Sequence, residues 1–404
     1  MIAAALLTGE SVTLENVPDI SDVEDMLEAA RALGVNVSRN RLRSTVELCA
    51  ANLRSVRIGA GLAARIRTSI LFAGPLLARR GRAVLPHPGG DAIGRRRLDT
   101  HFDGFIALGA NATFTSRSLV LEGRLRGGFV LLDEASVTAT ENILMAAVLA
   151  KGETVIFNAA CEPHVADLAR MLNAMGARIG GIGTNRLEVV GVDGLHGCVA
   201  RVGCDYIEAG SYIAAAAATG GSIMLTDIDP EPFKVLAGPF ARFGVKWKIN
   251  AERRTLRCSG KTRPAMKYDL GDAIPSVSDG PWPAFPSDLM SVLIVLATQT
   301  RGTCLFFEKM FESRLYFVDR LRQMGARIVQ CDPHRVVVPG PARLAGGMVA
   351  SNDIRAGIAL VIAALCADGE SVIDAAETID RGYPDVVKVL NSLGASVRRI
   401  TRGM

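Results

Sequence analysis

An apolar residue followed by glycine closes six successive segments of this 404-residue chain, and this recurrence constrains the fold more than any other feature. A spacing of about 70 residues indicates repeated supersecondary units. Each repeat has much the same order: a helix rich in Ala and Leu, a glycine turn, a strand, a second amphipathic helix and one or two further strands. The six dipeptides are Leu33-Gly34, Leu108-Gly109, Met175-Gly176, Phe243-Gly244, Met324-Gly325 and Leu393-Gly394.

The glycine of each dipeptide is expected to end its helix, because it takes the left-handed conformation in which a side chain would clash. The residues that follow can alternate between apolar and polar, as Val245-Lys-Trp-Lys-Ile249 does, which is typical of a half-buried strand. We therefore predict an α/β protein of two domains with three repeats each, over residues 1–203 and 204–404. The alternative is an open solenoid, which we disfavour because the loops between repeats differ in length and composition.

The composition excludes several classes of protein. A leading apolar run, Ile358 to Cys366, stops well short of the ~18 residues that span a bilayer. The start, Met1-Ile-Ala-Ala-Ala, lacks the basic residues of a secretory signal. Eight scattered cysteines without a Cys-x-x-Cys pair, and five scattered histidines, predict reduced thiols in a cytoplasmic protein without a metal or cofactor. A net charge of +5 is small for this length and does not indicate a nucleic-acid partner.

Arginines cluster between residues 79 and 97, whereas the first lysine of the chain is Lys151. The cluster surrounds Asp91 and contains Pro88-Gly89-Gly90, a combination expected of a loop over an anionic substrate, because guanidinium groups bind phosphate and carboxylate through paired hydrogen bonds. A solvated basic surface is the alternative. The arginines are Arg79, Arg80, Arg82, Arg95, Arg96 and Arg97.

The loop from His87 to His101 and six further blocks follow one another in an order that resembles a known family. The blocks are Arg65 to Pro75, Asn158 to Pro163, Pro283 to Asp288, Phe311 to Arg314, Asn352 to Arg355 and Ile379 to Tyr383. The resemblance is to the UDP-N-acetylglucosamine enolpyruvyl transferases, also called UDP-N-acetylglucosamine 1-carboxyvinyltransferases, and it covers essentially the whole chain. It implies two inverse α/β domains, barrel-like and built of three repeats each, which close around the substrates phosphoenolpyruvate and UDP-N-acetylglucosamine. It also implies the first committed step of peptidoglycan synthesis.

The resemblance assigns roles that the chemistry needs, because enolpyruvyl transfer requires a base for the sugar hydroxyl, an acid for C3 of phosphoenolpyruvate, and cations for its anionic groups. It implies that Asp288 is the base and that Arg96, Arg355 and Arg381 hold phosphoenolpyruvate. The other implied substrate-side positions are Arg67, Arg97, Leu98, Asp99, Ser136, Val137, Glu162, Ser287, Met310, Arg314 and Asp353. The alternative for each is an ordinary ion pair or packing residue.

Asp91 stands where most family members have a cysteine that donates a proton and aids product release. A carboxyl group can also donate a proton if its surroundings suit its pKa to the task, although neighbouring arginines oppose this. Because fosfomycin alkylates the cysteine thiolate and a carboxylate is a far poorer nucleophile, we predict insensitivity to fosfomycin.

Three departures from the family pattern leave other functions open. A Lys-Asn pair that precedes the first helix in the family is missing, so that either the true start lies upstream or a catalytic cation has been lost. Glu134 replaces a lysine near the uridine diphosphate, and Tyr206 replaces an arginine, while Arg97, in place of a proline, restores one positive charge. The alternatives are a non-catalytic homologue and a transferase for another hydroxyl acceptor. A shikimate-branch enzyme and an RNA 3′-phosphate cyclase lack their signatures here.

Overall fold

A computed structural model describes residues 1–91, 93–94, 96–116, 118–260, 264–351 and 353–400. Arg95 of the arginine cluster and Asn352 of the fifth block fall outside these ranges. The chain forms two compact units. The first contains Met1–Gly90 and Arg96–Gly203, and the second contains the described residues from Cys204 onward together with Asp91, Ile93 and Gly94. The domain limits inferred from the sequence stay a prediction.

In the first compact unit the helices provide the centre of the core. The helix that begins at Val137 is buried along most of its length, and its contacts with two neighbouring helices are extensive. A helix that is apolar on nearly every side is stable only when it is enclosed. The helices are α1 (Ser21–Leu33), α2 (Ala60–Arg65), α3 (Ala73–Arg80), α4 (Asp99–Ala107), α5 (Val137–Ala147) and α6 (Pro163–Ala174), with 3-10 helices at Ala4–Leu7 and Arg67–Phe72.

Three small sheets cover these helices, and strands such as Arg186–Val190 alternate between buried and exposed residues, as expected of a sheet with one buried face. The strands are β1 (Ser11–Glu15), β2 (Asn36–Asn40), β3 (Thr45–Cys49), β4 (Arg82–Pro86), β5 (Asn111–Phe114), β6 (Ser118–Glu122), β7 (Phe129–Leu131), β8 (Glu153–Phe157), β9 (Arg178–Gly180), β10 (Arg186–Val190) and β11 (Val199–Arg201). The strand orders are β11-β1-β3-β2, β4-β6-β5 and β7-β8-β10-β9, with parallel pairing of β1 to β11 and of β7 to β8.

The second compact unit repeats this plan around its own core. Every residue from Met290 to Thr298 is buried, in agreement with the continuous apolar sequence of that helix. The helices are α7 (Tyr206–Ala218), α8 (Pro230–Ala241), α9 (Met290–Gln299), α10 (Val318–Gln323), α11 (Ile354–Cys366) and α12 (Val386–Ser392), with 3-10 helices at Leu270–Asp272, Ser287–Leu289, Arg314–Phe317 and Ala376–Arg381.

Three sheets again surround the helices. The strands are β12 (Ser222–Thr226), β13 (Trp247–Asn250), β14 (Thr255–Ser259), β15 (Ser276–Ser278), β16 (Gly302–Phe307), β17 (Val329–Asp332), β18 (Arg335–Gly340), β19 (Met348–Ala350) and β20 (Val372–Asp374). The strand orders are β12-β14-β13, β15-β16-β18-β17 and β19-β20. Parallel pairing of β15 to β16 aligns Ser278 with Phe307, so that the residues directly after these two strands are neighbours.

The predicted helix-ending glycines have the expected conformation. All six have positive φ values. At Gly34, φ is +100°, and a Cβ atom there would lie 2.6 Å from the carbonyl oxygen of Asn52, so that only glycine fits without a shift. The Ala-rich start differs from the sequence interpretation, because its helical part is a short 3-10 helix over Ala4–Leu7. No helix among the described residues is long and apolar enough to cross a membrane.

Candidate active site

In the first compact unit, Arg67 supports the C-terminal end of the arginine-rich segment. Its Nη2 donates to the carbonyl oxygens of Arg96 and Arg97, each at 2.9 Å. Burial, followed by the nearby charge of Arg96, lowers the pKa of Arg67 to about 10, and Glu134 opposes that shift. Gly90 lies against the same arginines, since a Cβ atom there would be 3.3 Å from Nη1 of Arg96. Arg67 therefore positions backbone in this structure, while its role near the nucleotide sugar stays a prediction.

Arg97 is held between two carboxylates. Its Nε lies 2.9 Å from Oδ2 of Asp99, and its Nη2 lies 2.8 Å from Oδ2 of Asp133. Thr100 donates to the other oxygen of Asp133 at 2.6 Å, which lowers the pKa of Asp133. Arg97 is thus paired with acidic side chains.

His101 is a buried connector that the sequence interpretation missed. Asn142 donates to its Nδ1 at 3.0 Å, so that Nε2 carries the proton and donates to Thr138 at 3.1 Å. Burial, with a smaller contribution from Arg67, lowers the pKa of His101 to about 3, and the ring is therefore neutral at physiological pH. His101 fixes α4, which follows the arginine-rich segment, against α5.

Four other candidates of this compact unit lie at the first residues of helices. Ser136 is the N-cap of α5, where its hydroxyl accepts from the N–H of Ala139 at 3.4 Å, and Val137 is the first residue of that helix. Leu98 precedes α4, and its carbonyl oxygen accepts two backbone N–H groups of that helix. Glu162 precedes α6, and its Oε2 is buried without a hydrogen-bond partner among the described residues.

In the second compact unit, two arginines hold the carboxylate of Asp288. Arg314 donates from Nη2 to Oδ1 at 2.7 Å, while Arg355 donates to Oδ2 from Nε at 2.9 Å and from Nη2 at 2.8 Å. Desolvation raises the pKa of Asp288, but the two guanidinium groups outweigh it and lower the pKa to about 2. Asp288 is therefore ionised at neutral pH and can accept a proton. The side chain is 37% exposed, whereas Arg314 is almost completely buried.

Tyr383 supports Arg355 from the buried side. The Ser211 hydroxyl donates to the carbonyl oxygen of Ile207, so that Tyr383 donates its own proton to Ser211 Oγ at 2.8 Å. The Tyr383 oxygen then accepts from Nη1 of Arg355 at 3.3 Å. Tyr383 is fully buried, and its role was not recognised from the sequence.

The remaining candidates of this compact unit differ in their contacts and in their exposure. Asp353 is the N-cap of α11 and accepts from the N–H groups of Arg355 and Ala356 at 2.8 and 2.9 Å. It thereby fixes the start of the helix that carries Arg355. Ser287 is buried directly before Asp288, whereas Met310 is 42% exposed.

Asp91 forms an ion pair with Arg381. Next to it, the carbonyl oxygen of Ile93 accepts from the N–H of Ser313 at 3.1 Å. An anion bound by Arg381 would compete with Asp91 for the same guanidinium group. No clusters of three or more His, Cys, Asp or Glu side chains suited to a metal ion occur in the part of the chain that the structure describes. All eight cysteines lie in that part and are free.

The fold has counterparts among known proteins. A family model described as EPSP synthase (3-phosphoshikimate 1-carboxyvinyltransferase) matches residues 1–390. The enolpyruvyl transferase NikO from Streptomyces tendae has a TM-score of 0.86 over 98% of this chain and 92% of its own, at 23% identity, a likeness that shows the fold. The class defined by the fold and the match is that of the enolpyruvyl, or carboxyvinyl, transferases.

Relatives of higher identity narrow this class. UDP-N-acetylglucosamine 1-carboxyvinyltransferase of Borreliella burgdorferi is 50% identical over 400 residues, which cover 99% of this chain and 93% of that protein. The protein of the same name from Treponema pallidum is 50% identical over 396 residues, covering 98% and 92%. The chain belongs to the UDP-N-acetylglucosamine 1-carboxyvinyltransferase family. The family, the enzyme class and the α/β fold expected from the sequence are thereby confirmed, while the roles of individual site residues stay predictions.

Proposed function

We propose that the protein transfers the enolpyruvyl group of phosphoenolpyruvate to the 3-hydroxyl of UDP-N-acetylglucosamine and releases phosphate, the first committed step of peptidoglycan synthesis. Support comes from the relatives that carry this activity in their names. The observation that carries the proposal is the carboxylate of Asp288 between Arg314 and Arg355. This group combines a proton acceptor with cations for an anionic substrate.

The proposed chemistry has two stages. In the first, phosphoenolpyruvate takes the place of Asp91 on Arg381. The 3-hydroxyl oxygen then forms a bond to C2 of phosphoenolpyruvate, Asp288 accepts the hydroxyl proton, and C3 receives a proton from the acid form of Asp91. In the second, C3 returns a proton to the Asp91 carboxylate and the bond between C2 and the phosphate oxygen breaks, which leaves the enolpyruvyl ether and free phosphate. Arg96, Arg355 and Arg381 would bind the carboxylate and phosphate of phosphoenolpyruvate, where fixed cations stabilise developing negative charge.

A base with a pKa of about 2 is weak while both arginines hold it. Phosphoenolpyruvate offers Arg355 a second anionic partner, and sharing the guanidinium weakens its hold on Asp288. The basicity of Asp288 would therefore increase when the substrate arrives. This ordering is consistent with a reaction that starts only after phosphoenolpyruvate is bound.

A different hydroxyl acceptor is the second candidate, and the acidic surroundings of Arg97 favour it. Asp99 and Asp133 form ion pairs with Arg97, whose positive charge was expected to offset the negative charge of Glu134 beside the diphosphate. Tyr206 offers no replacement charge, because a phenol is never cationic, and its ring is buried against Trp282 with ring centroids 5.2 Å apart. A diphosphate would have to displace these carboxylates, whereas a neutral acceptor would not.

The test is phosphate release from phosphoenolpyruvate with UDP-N-acetylglucosamine, followed by mass spectrometry of the sugar product. We expect a product heavier by one enolpyruvyl group. We expect an Asp288→Asn variant to lose activity and an Asp319→Asn variant, which removes a carboxylate that is 62% exposed, to keep it. Phosphate release only with other hydroxyl acceptors would favour the second candidate, and substrate binding without release would indicate a non-catalytic homologue. We also propose a cytoplasmic location, which the eight free thiols support.

A further inference from the structure

Two buried carboxyl groups lie behind the proposed base and belong to none of the roles described above. Asp279 and Glu308 are 2% and 0% exposed. They follow β15 and β16 directly, and the parallel pairing of Ser278 with Phe307 makes them neighbours at one edge of the sheet. Carboxyl groups are rarely buried to this degree unless they have partners.

Glu308 connects the segment of the base to the turn that leads to Arg314. The Ser287 hydroxyl lies 3.0 and 2.9 Å from its two carboxyl oxygens, and Ser287 immediately precedes Asp288. Oε1 of Glu308 also accepts from the N–H groups of Met310 and Phe311, at 3.2 and 3.1 Å. A single side chain therefore joins two segments that carry predicted site residues.

Two neighbouring carboxyl groups that are both buried favour a state in which one of them keeps its proton. Desolvation, followed by the hydrogen bond and charge of Asp279, raises the pKa of Glu308 to about 9. Asp279 accepts the N–H of Lys309 through Oδ1 at 2.5 Å, while its Oδ2 is buried and has no other donor among the described residues. Oδ2 of Asp279 is thus a suitable acceptor for the proton of Glu308.

The charge state of Glu308 affects Asp288 through Arg314. The Arg314 guanidinium is attracted to Glu308, and its Nε is buried without an acceptor in the described part of the chain. A neutral Glu308 leaves the charge of Arg314 to Asp288, at 2.7 Å, and more weakly to Asp353, at 4.0 Å, whereas an ionised Glu308 would compete for it. The titratable and charged groups around Glu308 are Asp279, Lys309, whose side chain lies over the Phe307 ring, Arg314, and His334, whose Nδ1–H donates to the Glu308 carbonyl at 2.8 Å.

We propose that Glu308 is a positioning residue for Asp288 and acts as a neutral carboxylic acid. It donates its proton to Asp279 and accepts from Ser287 and from the turn that follows β16. In this state it fixes the base and leaves Arg314 paired with Asp288. This inference rests on the proposed function, in which Asp288 accepts the proton of the acceptor hydroxyl.

The first test compares Glu308→Gln with Glu308→Leu, with Glu252→Gln as the matched control at an exposed turn of the same compact unit. Glutamine keeps one donor and one acceptor, so that we expect kcat to fall by at most about fivefold. Leucine leaves the Ser287 hydroxyl and two N–H groups unpaired, and we expect a loss of about 10- to 100-fold in kcat with smaller changes in KM. Thermal melting of each variant shows whether it is folded.

The second test concerns the proton. In the wild type, kcat should fall as the pH rises through about 9, because ionised Glu308 draws Arg314 away and the Asp288 carboxylate loses its fixed position, a loss that outweighs its gain in basicity. Glu308→Gln should lack this decrease. Infrared difference spectra of wild type against Glu308→Gln should show the band of a protonated carboxylic acid at neutral pH. Asp279→Asn provides a second variant, in which the amide donates to Glu308 and the negative charge moves onto Glu308, so that kcat should fall at neutral pH.

Several results would overturn the inference: equal losses in the glutamine and leucine variants, full activity in a folded leucine or asparagine variant, or no protonated-acid band. A wild type without any transfer activity would instead defeat the proposed function. The infrared comparison does not depend on turnover and would still decide whether Glu308 holds a proton.

Discussion

Replacing Asp288 with asparagine tests whether the proposed base also competes with phosphoenolpyruvate for an arginine. Asparagine keeps the shape of the side chain but removes its charge, so that Arg355 loses the partner that it contacts at 2.8 and 2.9 Å. The freed guanidinium should then bind an incoming anion more strongly. The variant is therefore expected to bind phosphoenolpyruvate more tightly while reacting more slowly.

The gain in affinity for phosphoenolpyruvate and the loss of kcat can both be estimated. Two unit charges 4 Å apart attract by about 1 kcal/mol in water and about 4 kcal/mol at an effective dielectric constant of 20. Because the Asp288 side chain is 37% exposed, water screens its attraction to Arg355. Asp288 therefore weakens the binding of phosphoenolpyruvate by about 1–2 kcal/mol, close to the value for two charges in water. Its removal corresponds to about 5- to 30-fold tighter binding. Loss of a general base costs about 10²- to 10⁴-fold in kcat.

Calorimetric titration with phosphoenolpyruvate measures the first effect, and phosphate release under saturating substrates measures the second. Asp319→Asn serves as the control, because it removes an exposed carboxylate from the same compact unit. The reasoning is refuted if folded Asp288→Asn protein binds phosphoenolpyruvate no more tightly than the wild type. Turnover within fivefold of the wild type would refute the assignment of the base.

Four further perturbations follow from the structure. Tyr383→Phe removes one hydrogen bond from Arg355, so that KM for phosphoenolpyruvate should rise about 2- to 10-fold while KM for the nucleotide sugar stays constant. Arg67→Lys cannot reproduce the paired donation to two carbonyl oxygens and should lower kcat/KM for the nucleotide sugar about 5- to 100-fold. Mass spectrometry should find no fosfomycin adduct on Asp91, but should find one on an Asp91→Cys variant. The lowered pKa of Asp288 contributes stability above pH 3.8 that is lost as the pH falls through about 2, so that Tm should decrease there in the wild type and less in Asp288→Asn.

Each of these expectations has a contrary result. Equal increases in both KM values would show that Tyr383 acts on the fold in general, and an unchanged Arg67→Lys enzyme would remove its positioning role. A labelled Asp91 would contradict the argument from nucleophilicity. Identical acid melting curves for wild type and Asp288→Asn would show that the two arginines do not stabilise the carboxylate in the folded state.

The elements that depend on local chemistry were largely predictable. Glycine ends a helix because it can take the left-handed conformation, and all six helix-ending glycines have positive φ values. The sequence of α9 is apolar on all sides, which predicts a buried helix wherever it lies. The family resemblance likewise indicated Asp288 and the arginines around it, because those residues stand in recognisable blocks.

Contacts between distant segments could not be predicted from the family-like sequence blocks. Ser136 and Asp353 were expected on the substrate side, and the structure shows each as an N-cap, a role set by where the helix begins. Tyr383 stood inside a recognised block, but nothing in the sequence says that its hydroxyl contacts Arg355.

The sequence by itself determined the repeated α/β elements, the buried helices and the residue types available for enolpyruvyl transfer, because periodicity, glycine positions and family blocks are local properties of the chain. Tertiary structure alone decided that Asp279 and Glu308 are neighbours, since their meeting depends on the parallel register of β15 and β16. It also decided the charge state of Asp288, because a pKa depends on groups that the fold brings close and not on residues adjacent in sequence.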